Sequence, residues 1–158
     1  MLVLDASSMI HAWDNYPPEQ FPGLWNWFGS QIAIKAVCIP FAAYKEVRDK
    51  NPECADWLDQ NEVDVVTPSN AIVHIAGSIK ASLGIRNDQY GTGVGESDIF
   101  IIATAKALSY ELVSNESKQN TLPADMRKYK IPAVCALLKP QVGHLDFLGL
   151  IKRSKATF

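Results

Sequence analysis

Short apolar runs recur along this chain with a helix-length stretch after each, and that spacing leaves little choice of architecture. Leu2-Val3-Leu4, Ala36-Val37-Cys38-Ile39, Val63-Asp64-Val65-Val66, Glu111-Leu112-Val113-Ser114 and the stretch from Ile131 to Leu138 read as strands. The segments between the first four repeat apolar residues at helical spacing and are long enough to cross over a sheet, while Lys118 to Lys130, before the fifth, is polar and breaks at Pro123. Strands joined in this way pair in parallel and are covered by helices on both faces. The expected fold is therefore α/β: a three-layer α/β/α sandwich with a mainly parallel, roughly five-stranded central sheet.

A chain of 158 residues, 47% hydrophobic and 20% charged, reads as one domain over residues 1–158 that buries its own core. No stretch is apolar for long enough to span a bilayer, and MLVLDASSM has no basic region before its apolar run, so the expectation is a cytoplasmic protein without a signal peptide. Cys38, Cys54 and Cys135 are odd in number and widely spaced, which predicts buried reduced thiols. His11, His74 and His144 have no partner at metal-ligand spacing and read as non-ligands.

The acids carry the chemistry. Asp5 ends the first apolar run and is followed by Ser7 and Ser8; it suits a helix N-cap, and it also lies where an open parallel sheet presents ligands. Glu46 lies within the helix expected from Phe41 to Asp49 after Pro40. Asp98 opens a nearly all-apolar helix, Ile99-Phe100-Ile101-Ile102-Ala103-Thr104-Ala105, where the helix dipole favours an acid and burial of the helix would hold it still. Glu116 follows the strand ending at Ser114. Glu96 stands two residues before Asp98 and ranks below these four.

With the first strand central, the ends of the first and fourth strands and the starts of nearby helices meet in one cleft. Carboxylates gathered there repel one another unless cations neutralise them. An all-oxygen set suits Mg²⁺ or Mn²⁺, which activates water and stabilises displacement at phosphorus. Read from the residues alone, the chain reaches a divalent-metal site.

The same positions resemble the PIN domain family, whose VapC-type members are toxin ribonucleases. Asp5-Ala6-Ser7 is similar to the family's D-x-[SN], Glu46-Val47 to its mid-helix acid, and Asp98 to Ala105 to its D-x-x-I-x-A-x-A helix. Ser114-Asn115-Glu116 stands where the family has T-x-D, with Ser for Thr and Glu for Asp. The resemblance covers nearly the whole chain. It implies a Mg²⁺- or Mn²⁺-dependent endoribonuclease that is the toxin of a toxin-antitoxin pair, with Asp5, Glu46, Asp98 and Glu116 as catalytic metal ligands and Ser7 and Ser114 supporting them. It implies a homodimer, a small antitoxin protein as partner, and an RNA substrate, for which a structured RNA such as tRNA fits the net charge of −2 better than indiscriminate binding. Lys45, Arg48, Arg86, Lys118 and Arg127 to Lys130 supply candidates for a basic rim.

Two other enzyme classes fit less well. A haloacid-dehalogenase-type phosphatase needs an acid where Ser7 stands, and a receiver domain needs a mid-chain strand-end Asp with a late Lys. The alternative from another class is a catalytically silent PIN-like interaction module using the aromatic region from Trp13 to Phe28. The Gly-rich stretch from Gly84 to Gly95 matches no phosphate-binding motif and reads as a long mobile loop.

Overall fold

Two neighbouring inner strands are buried along their whole length, although successive side chains point to opposite faces. In the computed structural model, which describes residues 1–158, β1 (Leu2–Leu4) and β2 (Val37–Pro40) contain only buried residues. Helices must therefore cover both sides of the sheet. With β3 (Asp64–Val66), β4 (Glu111–Val113) and β5 (His144–Leu145) these form one five-stranded sheet in the order β3-β2-β1-β4-β5, parallel throughout. β3, at one edge, is mostly exposed. The α/β architecture expected from the strand spacing is the one observed.

Eight helices connect and cover the strands. α1 (Ala6–Asn15) and α2 (Pro22–Ala33) precede β2, α3 (Phe41–Lys50) and α4 (Pro52–Gln60) precede β3, and α5 (Asn70–Ser82) and α6 (Glu96–Leu108) precede β4. α7 (Ile131–Leu137) leads to β5, and α8 (Phe147–Ser154) follows it. Most starts are chemically marked. Asn51 accepts from the Cys54 N–H at 3.1 Å, Ser69 from Ile72 at 3.3 Å and Asp146 from Gly149 at 2.6 Å, each meeting a donor that a helix start leaves unpaired. α6 buries Ile99, Ile101, Ile102, Ala103 and Ala105 and packs on β1, β2, β4 and α5.

The aromatic region belongs mainly to the core. Trp25 and Phe28 are buried, and Phe28 stacks on Trp57 with ring centroids 5.9 Å apart and planes 9° from parallel. Phe21 remains exposed against Tyr16. All three cysteines are buried, free thiols.

Two expectations need correction. Ile131–Leu138, read as the last strand, is α7 followed by its cap, and the last strand is the two-residue β5. Pro132 has no N–H for a ladder but suits a first helical turn, and Ile131, Val134 and Cys135 share one buried face at helical spacing. Leu145, Leu148 and Ile151 read from their spacing as one C-terminal helix, but that helix starts at Phe147, which leaves Leu145 to β5.

The Gly-rich segment before α6 has no regular structure, yet it is stitched down rather than loose. Gly93 N–H donates to the Arg127 carbonyl at 3.2 Å and Val94 N–H to the Tyr129 carbonyl at 2.8 Å, with Val94 buried. A Cβ on Gly93 would stand 2.2 Å from the Tyr129 carbonyl oxygen, so the glycine is there for close backbone approach. Gly93→Ala is expected to lower the urea midpoint by an amount equivalent to roughly 1–3 kcal/mol. Gly77→Ala, in α5 where an added Cβ meets nothing within 4 Å, should stabilise by roughly 0.4–1 kcal/mol and serves as the control.

Candidate active site

Parallel pairing brings the ends of β1 and β4 together. Asp5 N–H donates to the Val113 carbonyl at 2.9 Å and Ser114 N–H to the Leu145 carbonyl at 3.0 Å. The residues that leave these strands therefore share one end of the sheet, where open α/β folds place their ligands. Asp5 caps α1 there, with one carboxylate oxygen, Oδ2, accepting from the Ser7 N–H at 3.3 Å and from the Ser7 hydroxyl. Ser7 Oγ lies 3.3 Å from Ser114 Oγ and accepts from the Asn115 N–H at 3.0 Å. Ser114 Oγ in turn accepts from the Glu116 N–H at 3.3 Å. The two serines thus tie the β1 and β4 ends into one polar network beneath Asp5.

Asp98 sits in the first turn of α6 and reaches back to its start, its Oδ2 accepting from the Gly95 N–H at 2.9 Å. Gly95 has no side chain to return the bond, so only half of a capping box is made. Glu46 projects from α3, and its Oε1 takes the Lys50 ammonium at 2.6 Å, one helical turn away. Glu116 Oε2 accepts from the Ile131 N–H at 3.0 Å, which satisfies the first amide of α7. Each acid has one oxygen held by a protein donor. The other, Oδ1 of Asp5 and Asp98, Oε2 of Glu46 and Oε1 of Glu116, receives no protein hydrogen bond.

The four carboxylates feel one another. Burial pushes the Asp98 carboxyl up to about 6; the Gly95 N–H opposes this, and the charges of Asp5, Glu116 and Glu46 add to it. Asp5, only 4% exposed, is also raised by burial, opposed by the Ser7 and Ser114 hydroxyls and reinforced by Glu46. The bond to Glu46 raises the Lys50 ammonium, helped by the fields of Asp5 and Asp98. Thus Asp5, Glu46, Asp98, Glu116, Ser7 and Ser114 lie in one neighbourhood. Glu96 is exposed and lines an adjoining cleft with Glu46.

No three Asp, Glu, His or Cys side chains close around a single point as direct ligands to one ion would. The electrostatic coupling reaches further than coordination distance. An oxygen-only donor set, negative charge that only Lys50 offsets, at Glu46, and one free oxygen on each acid suit a hard divalent cation that keeps several of its waters. The residues fit Mg²⁺ or Mn²⁺ in chemistry and charge.

Lys50 escaped the sequence reading, although Glu46 and Lys50 at i and i+4 form a recognised helical ion pair. Arg48, by contrast, does not serve the basic rim. It is spent on Asp56 and Asp59, both at 2.5 Å, fastening α3 to α4. Arg127 is likewise engaged by Asp125 at 2.8 Å. His144 borders a 390 Å³ pocket that shares Glu116 with the group of acids and is lined also by Lys118 and Asp146, and burial lowers its pKa.

Among solved structures, the chain is similar to VapBC2 from Rickettsia felis bound to a DNA fragment from their promoter, at 15% identity and a TM-score of 0.56, over 92% of this chain and 97% of that one. It is similar to DNA-bound VapBC from Salmonella typhimurium at 20% identity and a TM-score of 0.54, over 92% and 97%. It also resembles PAE2754 from Pyrobaculum aerophilum at 14% identity and a TM-score of 0.50, over 99% and 96%. At these identities the likeness is one of fold, and that fold is the VapC-like arrangement. No curated protein matches the chain. The model of a family described as a domain of unknown function, DUF4411, matches residues 2–158, and the chain belongs to that family.

Proposed function

We propose that this protein is a divalent-metal-dependent endoribonuclease of VapC type, the toxin of a pair held in check by a small antitoxin protein. The observation that carries the reading is the gathering of four acids at one end of the sheet, Asp5 and Glu116 where the chain leaves β1 and β4, Glu46 on α3 and Asp98 at the start of α6, close enough that the other three raise the Asp98 carboxyl further beyond what burial does. Perturbed acids mark functional sites because chemistry needs them where stability does not. The likeness of fold to VapBC structures supports the same reading.

Asp5, Glu46, Asp98 and Glu116 would hold Mg²⁺ or Mn²⁺ directly or through water, each with the oxygen its protein donor leaves free. When bound, the ion supplies an activated water and offsets charge at phosphorus. The chain's own task is positioning. Ser7 and Ser114 fix Asp5 against the β4 end, α6 holds Asp98 on a buried support, and Lys50 pairs with Glu46, a pairing that a bound cation would take over. In hydrolysis a water oxygen bonds to phosphorus, one phosphorus–ribose oxygen bond breaks, and the departing oxygen takes a proton. A homodimer and a structured RNA target such as tRNA belong to this proposal.

The test is cleavage of RNA with Mg²⁺ or Mn²⁺, with chelator, and with Asp5→Asn. Cleavage is expected to need the metal and to fall at least about 100-fold in the variant, since even supporting residues around metals cost 10–100-fold. Activity indifferent to chelation, or equal in Asp5→Asn, would overturn the mechanism.

A further inference from the structure

A cleft of 760 Å³ opens between α3 and the start of α6, lined by Phe41, Lys45, Glu46, Asp49, Glu96 and Phe100 among others. Glu46 belongs both to this cleft and to the group of four acids, so whatever occupies the cleft lies beside the candidate active site. Its volume is in the range that takes a small organic ligand.

Phe41 is the unusual wall. It is the first residue of α3 and remains 47% exposed. Of the three exposed phenylalanines, Phe21 packs on Tyr16 and Phe158 on Trp27, at 5.6 and 5.5 Å between ring centroids, whereas Phe41 has no aromatic neighbour. Lys45 stands one helical turn on, and residues so spaced share a helix face. Lys45 is exposed and makes no ion pair, while Lys50 is held by Glu46. An open aromatic ring beside a free ammonium is the pairing that binds single-stranded nucleic acid, the ring stacking a base and the cation meeting a phosphate. Asp49 and Glu96 also line the cleft. The mixed charge suits one neutral base with a single phosphate at Lys45 better than a run of phosphates.

We propose that Phe41 is the platform on which one unpaired base of the RNA substrate stacks, next to the four acids, with Lys45 meeting the adjoining phosphate. The inference rests on the nuclease reading and makes Phe41 and Lys45 positioning residues. It also sets the form of RNA accepted, because a base inside a duplex is already stacked and cannot reach the ring.

The experiment measures binding of a short fluorescent unpaired RNA by anisotropy, in chelator at low salt so that no cleavage intervenes, against the same sequence as a duplex. Wild type is expected to bind the unpaired strand and to prefer it to the duplex. Phe41→Ala should weaken binding about 10-fold and Phe41→Leu nearly as much, while Phe41→Trp should retain it. Lys45→Gln should weaken it and flatten the salt dependence by about one phosphate contact. Phe41 is exposed, so its truncation leaves no cavity, and circular dichroism confirms each fold. Equal binding by Phe41→Ala, equal binding of duplex, or no measurable binding by wild type would overturn the inference. Phe41-dependent binding by a protein that never cleaves RNA would leave the inference standing and sink the nuclease reading. Metal-dependent cleavage with binding indifferent to Phe41 would do the reverse.

Discussion

Asp98→Asn is expected to make the metal-free protein more stable and to remove the proposed ribonuclease activity. A carboxyl held at about 6, against an ordinary 3.8, is costly to keep ionised in the fold. That difference corresponds to about 3 kcal/mol at neutral pH, taken as an order of magnitude. Asparagine removes the charge, keeps an oxygen that can accept from the Gly95 N–H, and still leaves a polar amide in the same place. A net gain of about 1–2 kcal/mol, or about 3–6 °C in melting temperature at pH 7.5 in chelator, follows for a chain of this size.

The sign with pH is unambiguous. Between 3.8 and about 6 the folded chain binds more protons at Asp98 than the unfolded chain does. Metal-free stability from this group is therefore fully present below 3.8, falls as pH rises through that window, and is flat above it. Burial of Asp5 acts in the same direction. Adding Mg²⁺ at pH 7.5 should raise the melting temperature of wild type and raise that of the variant much less, because a ligand stabilises the state that binds it. Thermal melts at two pH values with and without metal check all of this, alongside an RNA cleavage rate expected to drop at least about 100-fold. A variant that melts below wild type in chelator at pH 7.5 would show that Asp98 serves the helix more than it burdens the fold.

Phe28→Ala is expected to remove a large share of the chain's stability. Phe28 is fully buried and sits among Trp25, Trp27, Trp57 and Phe147, with ring centroids 5.6–6.2 Å away. These neighbours come from α2, α4 and α8, so a cavity there loosens three helices together. Truncation of a buried phenylalanine costs about 3–5 kcal/mol, against a total stability of about 5–15 kcal/mol for a domain. The melting temperature should fall by roughly 10 °C. Phe28→Leu, which keeps most of the volume, should lose less than half as much. Urea unfolding checks it: the midpoint should move while the slope stays fixed, and an unchanged midpoint for Phe28→Ala would mean that the cluster is far more plastic than its packing indicates.

The parts of the fold legible beforehand were those whose pattern is local. Leu2–Leu4 and Val37–Pro40 are unbroken apolar runs because they are buried on both faces. The Pro and Ser residues before helices are chemical signals of the chain itself. α7 was not legible because seven residues are few and Ile131, Val134 and Cys135 also pass for a strand run. Pro132 was the signal that decided between them. β5, with two residues, has no pattern to read.

The site was legible as a set of acids at element ends, and their second attachments were not. That Glu116 holds the first amide of α7 depends on a helix fifteen residues away that the sequence reading took for a strand. What Gly93 does depends on the backbone of Arg127 and Tyr129 lying against it.

The anchoring of the acids has a consequence for how relatives of this chain should be read. Asp5 caps α1, Asp98 ties down the start of α6, and Glu116 receives the first amide of α7. A relative without the proposed chemistry would still need acceptors at these three places to close its helix starts, so acids there speak for architecture as much as for activity. Glu46 has no such second duty, its one bond being to the exposed, replaceable Lys50. Under the proposed function, position 46 is thus the informative one, because an acid kept there has no architectural reason to stay.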